Sequence, residues 1–289
     1  MDRKKTLALI IGTCLLAGCA STRRLTVGSK NFTEQLVLGE ILAQQVERRL
    51  QIKVERKLNL GGTLLAQQAL QSGQIDLFPE YTGTALTNVL KLPPSANAAT
   101  VLAQVRSEYR RRWNIEWLDP LGFNNSFAMV IRGEEARRGK LETLSDAARY
   151  KSDWIMGAGY EFLQRPDGYA GLIKAYGLSV KGTPASMDLG LLYQALEQRQ
   201  VNIVAASATD GLLSVLDVKA LVDNRAYFPP YEAAALVRTE ALAAYPSLRA
   251  ALQELAGAIP TATMQRLNYQ VDGKHRAVAE VAAEFLQTR

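Results

Sequence analysis

The chain has 289 residues, 48% of them hydrophobic and 21% charged, with a net charge of +6 and only two cysteines. That length supports about two domains with cores large enough to stand without disulfides. The densest basic clusters, Arg110-Arg111-Arg112 and Arg137-Arg138, lie in amphipathic stretches without interleaved aromatics, so they read as solvated helix faces and not as a nucleic-acid surface.

Arg3, Lys4 and Lys5 precede a short apolar run from Leu7 to Ala17, and Leu16-Ala17-Gly18-Cys19 closes it. A membrane span would need about 20 apolar residues, so this segment reads as a secretory signal. A cysteine directly after Ala-Gly is the pattern of a bacterial lipoprotein cleavage site. The expectation is that residues 1–18 are removed and that Cys19 is diacylated as the mature N-terminus. Cys14 leaves with the signal, so the mature chain has no disulfide. It is expected on the periplasmic or cell-surface side of a bacterial membrane, attached by lipid alone.

Strand and helix patterns then alternate, which predicts an α/β fold. Leu25 to Gly28 reads as a strand, and Glu34 to Leu50 as a helix with Leu36, Val37, Ile41, Leu42, Val46 and Leu50 on one face. Ile52 to Leu58 is a second strand. Thr63 reads as the N-cap of a helix from Leu64 to Ser72, with Gly73 just past its end. Ile75 to Phe78 is a third strand, Thr82 to Lys91 a third helix and Phe127 to Ile131 a further strand. Glu134 to Gly139 reads as a charged, loop-like break. A second set follows: strand Trp154 to Gly157, helices Asp167 to Tyr176 and Leu189 to Gln198, and strand Val201 to Ala206. After Pro229-Pro230, Ala233 to Arg238 is again a strand, and helices Glu240 to Gly257 and Ala277 to Gln287 end the chain. Two such sets with a return segment predict a clam-shell in which the chain crosses between lobes near Asn125 and Pro229. Residues 19–125 and 230–289 then form one lobe and 126–229 the other.

Catalysis finds little support. The single histidine, His275, stands in a Gly-Lys-His-Arg turn, so Ser-His-Asp or Cys-His machinery would have to rest on it. No His/Cys/carboxylate spacing suits a metal, and Gly61-Gly62-Thr63 is too short for a phosphate loop. No cofactor is implied.

Binding signals are stronger. Four segments place polar or aromatic residues at strand-to-helix junctions: Gly28 to Gln35 (GSKNFTEQ), Leu60 to Thr63, Pro79 to Thr84 (PEYTGT), and Gly159 to Gly168. In an open α/β sheet such junctions hold ligands beyond the carboxyl ends of the strands, where helix N-termini offer free N–H groups.

Together with Asn59 to Thr63, Pro120 to Asn125, Arg165-Pro-Asp-Gly-Tyr169 and Phe228-Pro-Pro-Tyr231, these motifs resemble the substrate-binding proteins of glycine betaine/carnitine/choline ABC transporters, nearest an osmotically induced, OsmF-like branch. The resemblance runs from about Leu25 to Gln287. It implies a two-lobed type II periplasmic-binding-protein fold that delivers a compatible solute to an ABC permease, working as a monomer. It also implies an aromatic box that holds a quaternary ammonium by cation–π attraction. By motif, Tyr81 and Tyr231 are box walls. Phe127 falls where the family commonly has tyrosine, and Ser207 where a further tyrosine often stands, which removes a wall. Lys30 and Thr84 match carboxylate-binding positions, and Arg165 matches a residue that reaches across from the second lobe. The residues alone leave other readings for these positions: half-buried packing for Tyr81 and Tyr231, core for Phe127, a solvated charge for Lys30, and pairing with Asp167 or Glu161 for Arg165. At the level of function, the alternatives are a receptor for another small zwitterion, a sensor or scaffold lipoprotein that transports nothing, and, more remotely, a hydrolase.

Overall fold

The computed structural model describes residues 24–150 and 153–289. The signal segment and Cys19 lie outside the described residues. Two five-stranded sheets organise the chain. The first has the order β2-β1-β3-β10-β4, from β1 (Thr26–Gly28), β2 (Glu55–Lys57), β3 (Leu77–Tyr81), β4 (Ile115–Trp117) and β10 (Ala233–Arg238). The second has the order β7-β6-β8-β5-β9, from β5 (Phe127–Arg132), β6 (Met156–Ala158), β7 (Ala185–Ser186), β8 (Ile203–Ser207) and β9 (Val218–Leu221). In each sheet one strand runs against its neighbours: β10 is antiparallel to β3 and β4, and β5 to β8 and β9.

The chain passes between the sheets twice, within residues 118–126 and 222–232. The two passages run side by side, joined by an Asn124–Glu232 bridge and by the Asn125 N–H donating to the Tyr231 carbonyl at 3.0 Å.

The Thr33–Leu50 helix buries Val37, Leu38, Ile41, Leu42 and Val46, each side chain contributing about 1.5–3 kcal/mol of apolar burial. It packs against the helices Leu248–Gln253, Thr261–Asp272 and Val278–Gln287, so the end of the chain closes over its beginning. In the second sheet Trp154 is fully buried and its indole N–H donates to the Ala147 carbonyl at 3.1 Å.

Several elements differ from the expectation. The third strand continues through Pro79 to Tyr81. Proline is tolerated there because pairing with β1 is confined to Val27–Leu77, so no partner waits for an N–H at Pro79. Glu134–Gly139 is not a loop: Gly133–Gly139 is helical, with Arg132 and Arg138 paired to Glu135 at i,i+3 spacing. The N-cap of the Thr63–Gln71 helix is Gly62, not Thr63. The segment expected as a helix from Thr82 begins as one turn, Thr82–Thr84, and widens into a π-helix over Ala85–Val89, a form frequent at functional sites. Tyr160–Gln164 and Thr261–Asp272 are helices that the periodicity did not predict.

Candidate functional site

Strand β3 carries Tyr81 to its carboxyl end, and Gly83 lies two residues beyond. A Cβ at Gly83 would stand 2.7 Å from both the Pro230 carbonyl oxygen and the Tyr231 ring, so glycine is what lets the second passage approach. Thr82 straps that passage in place. Its hydroxyl donates to the Pro230 carbonyl and accepts from the Glu232 N–H, both at 3.0 Å. Tyr231 is thereby held against the first sheet, while β5 brings Phe127 to it from the second. Their rings meet edge to face at 5.7 Å. Ser207 is the direct cross-strand partner of Phe127.

A cavity of about 640 Å³ opens between the sheets, and Lys30, Tyr81, Thr84, Phe127, Arg165, Ser207 and Tyr231 all line it. Tyr81, Tyr231, Lys30, Thr84 and Arg165 are buried, while Phe127 and Ser207 are half-buried.

The cations of the cavity are already matched. Lys30 Nζ pairs with Glu80 Oε1 at 2.5 Å and donates to Thr63 Oγ1 at 3.1 Å. Burial pushes the Glu80 carboxyl up, against the pull of Lys30. Arg165 clamps Asp167 with two bonds, at 2.9 and 2.6 Å. It also reaches over to donate to Thr84 Oγ1 at 2.9 Å. The reach across the cleft and the pairing with Asp167 therefore coexist. Burial raises Asp167, but the bonds and charge of Arg165 outweigh it and leave the carboxyl below its usual range. Lys30, which the resemblance sets at a carboxylate-binding position, is one half of a buried ion pair and not a solvated charge. The aromatic faces hold these same cations: Lys30 Nζ lies 5.1 Å from the Tyr81 centroid, and the Arg165 guanidinium lies 5.2 and 5.6 Å from those of Phe127 and Tyr231.

Residues beyond the motif assignments complete the site. Glu161, from the Tyr160–Gln164 helix, crosses the cleft to the Thr63–Gln71 helix. Its carboxylate accepts from the Thr63 N–H at 2.6 Å and from the Thr63 hydroxyl at 3.1 Å, so the second lobe caps a helix of the first. Glu34 is buried and accepts from Tyr81 Oη and Asn125 Nδ2, both at 2.7 Å, and from Asn268 Nδ2 at 3.0 Å. Burial pushes its carboxyl up, with these bonds opposing. Asp210 accepts from the Ser207 N–H and from Tyr193 Oη, each at 3.0 Å, and burial carries its pKa to about 7. Phe32, Tyr160 and Tyr193 add aromatic surface, with Phe32 stacked on Tyr81 at 6.4 Å. Glu34 and Phe32 lie inside the GSKNFTEQ run and Glu161 inside Gly159–Gly168, so position in those motifs was their available signal. Tyr193 sits in an amphipathic helix and carried none. His275 is exposed and does not line the cavity, and among the described residues no cluster could hold a metal.

A mixed-sheet pair joined by two adjacent passages, with a polar and aromatic cavity between the sheets, defines a two-lobed solute receptor of the type II periplasmic-binding-protein class. Comparison with known proteins places it within that class. Residues 23–288 match the family model of the substrate binding domain of ABC-type glycine betaine transport systems, and the chain belongs to that family. It is 33% identical over 286 residues to the carnitine transport binding protein OpuCC of Listeria monocytogenes, covering 98% of this chain and 92% of that one. It is 33% identical over 293 residues to a glycine-betaine-binding protein of Pseudomonas aeruginosa, covering 98% and 93%. A crystal structure of a glycine betaine/carnitine/choline ABC transporter superposes with a TM-score of 0.78 at 32% identity, covering 91% of this chain and 98% of that one. The family is one of transport receptors, not enzymes.

Proposed function

We propose that this protein captures a quaternary ammonium osmoprotectant in the cavity between its sheets and delivers it to an ABC permease. One observation carries the reading: Tyr81, Phe127 and Tyr231 converge from both sheets on one cavity, and their faces already accept cations at 5.1 to 5.6 Å. A methylated ammonium is the ligand group that such faces attract while forming no hydrogen bond of its own. A cavity of about 640 Å³ also falls in the range of small-molecule sites.

Within that class the electrostatics favour a cation over a zwitterion. Among the described residues Lys30 and Arg165 are the cations lining the cavity, and each faces a carboxylate of the protein. Glu34, Glu161, Asp188, Asp210 and Asp272 line it as well. A ligand carboxylate would meet no unmatched positive charge there, so Thr84 and Lys30 would hold it through neutral or shared hydrogen bonds. Titration calorimetry with choline, carnitine, glycine betaine and proline tests both levels. Binding of the quaternary amines but not proline is expected, with choline at least as tight as the betaines. Preference for proline would overturn the class.

The receptor works, on this reading, as a monomer outside the cytoplasm, held by a diacylated Cys19. The lobes 19–125 with 230–289 and 126–229 close over the solute about the two passages. Stable anchoring takes two acyl chains, so Cys19→Ser should move the protein from the membrane to the soluble fraction. Retention in the membrane would refute the anchor.

A further inference from the structure

Both tyrosines of the box donate their hydroxyls to carboxylates, but the two carboxylates are not equivalent. Tyr231 Oη donates to Asp167 Oδ2 at 2.5 Å. Arg165 clamps Asp167 and lies over the Tyr231 ring, so the charge behind that ring is cancelled beside it. Tyr81 Oη donates to Glu34 Oε1 at 2.7 Å. Glu34 is 4% exposed, and its described partners are neutral: a phenol and two amides. Among the described residues no lysine or arginine pairs with it, and Lys30, which lies 5.1 Å from the Tyr81 centroid, is already matched by Glu80. Burial pushes the Glu34 carboxyl up; acting toward the ionised form are its three donors and its place in the first turn of the Thr33–Leu50 helix, where the helix dipole favours a negative charge.

A phenol that shares its proton with a carboxylate has a more electron-rich ring, and a hydrogen bond to an ionised acceptor is among the stronger ones. The face of Tyr81 therefore combines its own quadrupole with a negative charge directly behind it. This bears on selectivity. An apolar pocket of the same shape favours the tert-butyl group, since a buried ammonium loses its hydration, whereas a negative charge behind the wall shifts the preference toward the ammonium.

We propose that Glu34 is a specificity-determining residue: through the Tyr81 hydroxyl it supplies the uncompensated charge that makes the aromatic box choose a cation over a neutral group of the same shape. The inference rests on the reading of Tyr81 as a wall of the solute site. Glu34 itself lines the cavity, and the Tyr81→Phe variant separates the part of its effect that runs through the ring. An ionised carboxylate roughly 8 Å from the ligand head, at an effective dielectric of about 20, changes affinity on the order of thirtyfold.

The experiment compares each ligand with the analogue in which carbon replaces the ammonium nitrogen: choline with neutral 3,3-dimethylbutan-1-ol, and glycine betaine with the anion 3,3-dimethylbutanoate. Dissociation constants are measured by calorimetry for the wild type, Glu34→Gln and Tyr81→Phe. Glutamine keeps an acceptor for Tyr81. With that oxygen kept for Tyr81 and Asn125, the new N–H stands where Oε2 was and can be taken by Asn268, whose Oδ1 has no partner, once that amide turns. The expected result is that Glu34→Gln weakens choline about thirtyfold, leaves 3,3-dimethylbutan-1-ol within about twofold, and lowers the preference for glycine betaine over 3,3-dimethylbutanoate by a similar factor. Tyr81→Phe, which cuts the link but leaves the charge, should lower the same ratio by a smaller factor. A residue that merely held Tyr81 in place would weaken both members of a pair alike, and an unchanged ratio in both variants overturns the proposal. If Glu34→Gln does not fold, the ratio in Tyr81→Phe decides alone. If the wild type binds neither ammonium ligand, the solute reading fails first and this inference falls with it, an outcome distinct from an unchanged ratio.

Discussion

Replacing Ser207 with tyrosine should strengthen the binding of a quaternary amine. Ser207 sits opposite Phe127 on β8, and cross-strand neighbours stand about 5 Å apart at Cβ. A ring there would rise beside that of Phe127 on the face lining the cavity. The substitution leaves the local turn intact, because Ser207 binds Asp210 through its backbone N–H. A cation–π contact contributes about 1 kcal/mol when half-exposed and about 2 kcal/mol when desolvated. Ser207 is half-buried, as is Phe127, so the gain should lie between about fivefold and thirtyfold. Calorimetry with choline and glycine betaine on folded Ser207→Tyr, Tyr81→Ala and the wild type measures it. Tyr81→Ala removes a wall and should cost at least as much as the new ring adds. If Ser207→Tyr leaves affinity unchanged while Tyr81→Ala binds like the wild type, there is no aromatic box in this cleft and the ligand is not a quaternary amine.

Three further outcomes follow from the geometry. Glu161→Ala removes both bonds across the cleft to Thr63, charge-assisted bonds of about 1.5–3 kcal/mol in aggregate. Small-angle scattering should then show a larger radius of gyration for the ligand-free variant than for the ligand-free wild type; identical profiles would mean that the contact does not hold the lobes together. Gly168→Ala would drive a Cβ into the carbonyl oxygen of Phe162, whose ring packs against Phe127 at 4.9 Å. A loss of about 1–3 kcal/mol and a melting temperature lower by several degrees are expected, and an unshifted melt would contradict the crowding. Asp210 has a folded pKa of about 7, well above the roughly 3.9 of an unfolded aspartate. The folded state thus holds this proton more tightly, and stability attributable to it is complete below about pH 4 and lost as pH rises toward 7. Asp210→Asn should flatten that fall in melting temperature, and parallel profiles for variant and wild type would show that Asp210 does not titrate in this window.

Much of the architecture was legible along the chain, for reasons that are local. Ala233 to Arg238 is a continuous apolar run bounded by a Pro-Pro turn, and β10 occupies those residues. The Thr33–Leu50 helix follows its apolar stripe. The residues suggested by the motifs gather in one cavity, because the ends of β1, β3 and β8, the start of β5 and the second passage all lie where the sheets face each other. Elements whose stability is not written in their own periodicity were missed. Gly133–Gly139 has a single apolar side chain, Ala136, and shows no stripe, but it is held by ion pairs within its own turns. Tyr160–Gln164 is too short to show a period, and it stands because Glu161 finds its partners on the opposite lobe.

Only the tertiary structure decided the state of each charge. Lys30 and Glu80 are fifty residues apart, and no spacing rule links them. They pair because the end of β1 and the end of β3 lie side by side at the cavity wall, where an unpaired cation would carry a large desolvation cost. Arg165 meets Thr84 and Glu161 meets Thr63 for the same reason. These contacts depend on how two separate sheets face each other, and that arrangement follows from the packing of the two passages through Gly83, Thr82 and Tyr231. Residue types and motifs determined which side chains reach the cleft. The approach of the lobes determined which of their charges remain for a ligand, since a hydrogen bond or ion pair across a cleft is set by distances of a few ångströms that no local pattern encodes.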